Sequence, residues 1–133
     1  MPVEDEYKDV LQNIEFTIVS LYRRHPEMTD YAVTRMLETL TNVYKAERTG
    51  RPPLEIPLSE LERTLVDDVR AVCEWRLGRA EAPRYPGAGA APPLKPLTVD
   101  EMLLCLKRIA KSARTWNKEG GRKGYLDFVS QFL

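Results

Sequence analysis

This chain has little of the residue chemistry on which enzymes and metalloproteins draw. Its 133 residues include one histidine, His25, and two cysteines, Cys73 and Cys105, 32 positions apart. Metal centres need clusters of such ligands, and nucleophilic catalysis needs a base beside its nucleophile. Both are therefore disfavoured, and no catalytic residue, metal or cofactor is expected. No glycine-rich phosphate loop of either common spacing occurs. The Glu-x-x-His pairs of di-iron bundles are missing too, because Glu27 follows the only histidine instead of preceding it by three. Asp67 and Asp68 are neighbours, and adjacent positions on a helix do not converge on one ion.

Long apolar runs are also missing. The longest, from Ile14 to Tyr22, is interrupted by Glu15, Thr17 and Ser20, well short of the roughly 20 apolar residues that span a bilayer. No membrane partner is expected. The first six residues include Glu4, Asp5 and Glu6 and do not read as a leader. With two isolated cysteines outside any CxxC pattern, the expected setting is reduced and cytoplasmic.

What the sequence does have is helical periodicity. Tyr7, Val10, Leu11, Ile14, Ile18, Leu21 and Tyr22 recur at three- and four-residue steps, predicting an amphipathic helix from about residue 4 to Arg24, ended by His25-Pro26. Thr29 or Asp30 caps a second helix, whose stripe is Val33, Met36, Leu37, Leu40 and Tyr44, running to about Arg48. The brief connection predicts an antiparallel hairpin of these two. Ser59 with Glu62, and Thr98 with Glu101, are capping boxes. They open a third helix (Leu61, Leu65, Val69, Val72) and a fourth (Val99, Met102, Leu103, Leu106, Ile109). Between these, residues 79–97 hold five prolines with Gly87, Gly89 and a run of alanines, a composition that reads as a long loop or linker. After Gly120, Gly121 and Gly124, a stripe of Tyr125, Phe128, Val129 and Phe132 predicts a short C-terminal helix. The fold expected over residues 1–133 is a single all-α domain: a bundle of four main helices plus that short helix.

Two surfaces are candidates for function. Phe16 and Val19 lie roughly 200° and 140° from Ile14 at 100° per residue, off the stripe of the first helix, and Tyr31 lies off the stripe of the second. Apolar groups that a monomer does not need are commonly buried by a partner or a second copy, unless the first helix is central and all of them are core. The other surface is basic. Lys107, Lys111, Arg114 and Lys118 share a flank of the fourth helix, and Arg122 and Lys123 follow in the glycine-rich turn. Seven basic residues face one acidic residue between Leu104 and Gly124, a stripe able to follow a phosphate backbone. Against that, the whole chain carries 20 basic and 20 acidic side chains, with a pI near 6.6, unlike a dedicated nucleic-acid domain. Zero net charge also weakens repulsion between copies. The expected function is a non-enzymatic, self-associating helical interaction module, with a nucleic-acid-associated protein as the alternative. His25 reads as a helix-end group.

Overall fold

The computed structural model describes residues 7–83 and 95–118, excluding the side chains of Asp30 and of residues 112–118. Four helices and no strand occur among the described residues: α1 Lys8–Arg24, α2 Asp30–Thr49, α3 Glu60–Arg76 and α4 Val99–Lys118. The expected fifth helix at Tyr125 to Phe132 lies outside them, as do residues 84–94 of the proline-rich stretch. None of these helices is long and apolar enough to cross a membrane.

Local chemistry sets the helix ends. The Thr29 hydroxyl accepts from the Ala32 amide at 3.3 Å, and Gly50 closes α2 in the left-handed region (φ 72°). Ser59 accepts from the Glu62 amide at 3.2 Å while the Glu62 carboxylate accepts from the Ser59 amide at 3.1 Å. Thr98 and Glu101 repeat this exchange at 3.2 and 2.9 Å. Both capping boxes therefore form, and each satisfies two orphan amides at a helix start.

Helix directions follow from the side chains that meet. Asp9 at the start of α1 pairs with Arg76 at the end of α3 (2.9 Å), and Arg24 at the end of α1 reaches Asp68, so α1 and α3 are antiparallel. Tyr44 donates to Glu74 at 2.8 Å and Arg35 pairs with Glu62, which makes α2 and α3 parallel. Arg48 at the end of α2 bonds Asp100 at the start of α4 (3.1 Å), whereas the Tyr7 hydroxyl at the start of α1 donates to Glu101. Thus α4 is antiparallel to α2 and parallel to α1.

The composition of residues 79–97 leaves the direction of the fourth helix open; the structure fixes it. The Leu97 amide donates to the Arg76 carbonyl at 2.8 Å, so the chain re-enters beside the point where it left α3. Gly78 (φ 77°) sits so close to Pro96 that a Cβ there would lie 2.8 Å from its ring.

One expectation needs correcting. The first two helices do not pair as a hairpin: α1 packs on α3 and, less extensively, on α4, while α2 packs on both α3 and α4. The reason lies in the α2 to α3 connection. Because these helices are parallel, residues 50–59 run the length of the bundle as a strap, and α3 enters between the first two. The core joins Ile14, Ile18, Leu21 and Tyr22 of α1, Met36, Leu40 and Tyr44 of α2, Leu65, Val69 and Val72 of α3, and Met102, Leu106 and Ile109 of α4.

Candidate interaction surface

Three large apolar side chains stand clear of the core among the described residues: Tyr31 at 66%, Leu54 at 76% and Leu104 at 47% exposure. Two of them, Tyr31 on α2 and Leu54 on the strap, belong to segments that Arg35 ties together. Tyr31 occupies the first turn of α2, and one turn on the Arg35 guanidinium lies 5.6 Å from its ring centroid, within cation–π range. Arg35 also donates to the Pro57 carbonyl and pairs with Glu62. One side chain thus holds Tyr31, the strap and α3 together. Leu58 packs on the core, and the Arg51 amide donates to the Ala46 carbonyl at 3.0 Å, so the strap is fixed at both ends. Leu54 projects between these anchors beside Pro52 and Pro53, which limit the strap's freedom before any partner arrives.

The candidates read from sequence divide. Tyr31 is exposed and Phe16 is half-buried. Val19 is a correction: at 3% exposure it belongs to the core and is not open to a partner, because burial along α1 is not confined to the Ile14 stripe and no residue from Val10 to Tyr22 is exposed. Lys107 and Lys111 are exposed on α4, with Arg108 half-buried beside them. Arg114 and Lys118 lie on α4 with side chains outside the described ones, and Arg122 and Lys123 lie outside the described residues altogether. Sequence reasoning misses Leu54 and Leu104. A signal for Leu104 exists, since it lies roughly 200° from Met102 at 100° per residue; for Leu54, only its neighbouring prolines hint at exposure.

His25 lies 3.5 Å from Glu27, Asp67 is exposed, and Asp68 is paired with Arg24. Among the described residues no three His, Cys, Asp or Glu side chains gather closely enough to hold a metal ion. The groups raised most are buried ones. Burial, then the charge of Glu74 and the neighbouring Cys105, push the Cys73 thiol up to about 12, and burial beside Cys73 and Glu74 raises Tyr44 as well. Both cysteines are free and buried. Such a thiol is a poor nucleophile at neutral pH, since thiolate is the reactive form. Glu101 is held below the usual carboxylate range, first by the Tyr7 hydroxyl and then by the Thr98 amide. Glu15 is the exception in the opposite sense: burial lifts its carboxyl to about 7 against the opposing pull of Arg108.

No known protein family, curated protein or solved structure matches this chain.

Proposed function

We propose that this chain is a non-enzymatic helical interaction module of the cytoplasm that associates with a second copy of itself through the Tyr31, Pro57 and Leu54 side. The observation that carries this reading is two exposed apolar side chains, Tyr31 held by Arg35 and Leu54 on the strap that Arg35 also binds. Tyr31 and Leu54 are ordered by Arg35 and the strap before binding, which lowers the entropy cost of association. A chain with no net charge has weak repulsion between copies. Two buried free thiols fit a reducing compartment. Sedimentation velocity between about 1 and 200 μM is the test, since a 1 μM dissociation constant corresponds to about 8 kcal/mol. The expected result is a dimer whose dissociation constant rises at least about tenfold in Tyr31→Ala/Leu54→Ser, as truncation at an interface centre costs on the order of 1–2 kcal/mol per anchor. A monomer throughout that range removes the reading.

A second reading is favoured by the exposed pair Lys107 and Lys111 on α4: contact with nucleic acid, extended by Arg114, Lys118, Arg122 and Lys123. It requires that a labelled single-stranded oligonucleotide bind at about 50 mM salt. Binding should weaken steeply with added salt, as phosphate contacts release counterions, and drop further in Lys107→Glu/Lys111→Glu. Salt-independent binding, or none, eliminates it.

A further inference from the structure

The strap between α2 and α3 has a regular conformation of its own. Residues 51–59 belong to no helix or strand, and their path is long for their number. Arg35 pairs with Glu62 on the parallel α3, so Ser59, just before α3, stands near the level of Ala32. The Arg51 amide is bonded to the Ala46 carbonyl, which leaves Arg51 near the level of Thr49. The eight steps from Arg51 to Ser59 therefore cover about 17 residues of helix, or about 25 Å at 1.5 Å per residue. That is about 3 Å per step, close to the rise of about 3.1 Å in polyproline II. The sequence imposes the same shape. Proline fixes φ at Pro52, Pro53 and Pro57, and Arg51, Pro52 and Ile56 each precede a proline, which biases them to the extended region. None of the described residues other than glycine takes a positive φ.

Polyproline II has three residues per turn, so Arg51, Leu54 and Pro57 share one edge of the strap. All three are exposed, whereas Ile56 and Leu58, on the other two edges, are half-buried. Burial thus turns the Arg51, Leu54 and Pro57 edge outward. We propose that this edge is a docking site for a folded protein with an aromatic-lined, acid-rimmed groove, of the kind that reads Pro-x-x-Pro segments. Such grooves take apolar groups one turn apart on a preformed polyproline II helix. Leu54 and Pro57 have that spacing, with leucine in the first place. Arg51 lies one turn further on, where its charge complements an acidic rim. Arg35 holds the Pro57 carbonyl and Leu58 packs on the core, so the bound shape exists beforehand and little ordering cost remains. This partner is a different protein from the second copy proposed above, and the inference does not rest on self-association. Leu54 serves both, so the two compete.

Isothermal titration of the full chain with a set of purified SH3 and WW domains, which carry aromatic-lined grooves, tests it. At least one domain should bind with a dissociation constant below about 100 μM. Leu54→Ser should weaken that binding at least about tenfold, as expected for the loss of an interface anchor. Arg51→Glu should weaken it about threefold or more and reduce its dependence on salt, since the charge lies at the rim. Both residues are exposed, so neither substitution removes a core contact. Tyr31→Ala, which weakens self-association, should leave this binding unchanged. A set in which nothing binds more tightly than about 1 mM overturns the proposal. So does binding that Leu54→Ser leaves intact, or binding that Tyr31→Ala abolishes, which would place the contact on α2. A chain that is monomeric throughout and still binds through Leu54 removes self-association alone and upholds the docking site.

Discussion

Glu15 is a carboxyl that resists ionising at the edge of an apolar core, and its effect on stability has a definite sign. Its folded value of about 7 lies above the ordinary 4.5, so the folded chain holds a proton that the unfolded chain has lost. Stability therefore falls as pH rises from about 4.5 to 7, by at most on the order of 3 kcal/mol, and the cost persists above that. Glu15→Gln should raise the melting temperature at pH 8 by several degrees, and the gain should vanish by about pH 4.5. A gain independent of pH would mean that the charge of Glu15 is not responsible. Residues such as this are hard to read from sequence. Glu15 occupies an ordinary position beside Ile14, and its perturbation depends on what lies across from α1. The same holds for Val19, whose distance from the stripe is legible while its cover is not.

At the scale of elements, the starts of α3 and α4 were legible because their causes are local, whereas α1 begins at Lys8 and not near residue 4. Ser59 with Glu62 and Thr98 with Glu101 bond within four residues of each other, so spacing alone reveals them. The pairing of helices was not legible, because it rests on contacts between distant segments: Arg35 with Glu62, Arg48 with Asp100, Tyr7 with Glu101. The α3 to α4 junction lies between these cases. Gly78 reads as a helix stop, but its close approach to Pro96 is a tertiary fact. Gly78→Ala should lose about 1–3 kcal/mol, from left-handed backbone that alanine tolerates poorly and from the collision with Pro96. Urea denaturation measures it directly. A loss below about 0.5 kcal/mol, the level of an ordinary surface change, would show that the junction can shift.

For the whole molecule, the decisive feature is that the main packing partners of each helix lie in the other half of the chain. Helices α1 and α2 pack on α3 and α4, not chiefly on each other, and residues 50–59 join the two halves. Fragments 1–54 and 55–133 should each show little helix by circular dichroism, since short helices without tertiary support are marginal in water, and should regain it on mixing in equal amounts. A helical, cooperatively melting 1–54 fragment would contradict the assigned packing. The same arrangement sets a schedule for synthesis. When α2 leaves the ribosome, neither of the helices it packs against has yet emerged. At about 5–20 residues per second, the chain waits roughly 3 to 14 s for α3 and α4, with the apolar faces of Ile14, Ile18, Met36 and Leu40 open to whatever the cell places beside them.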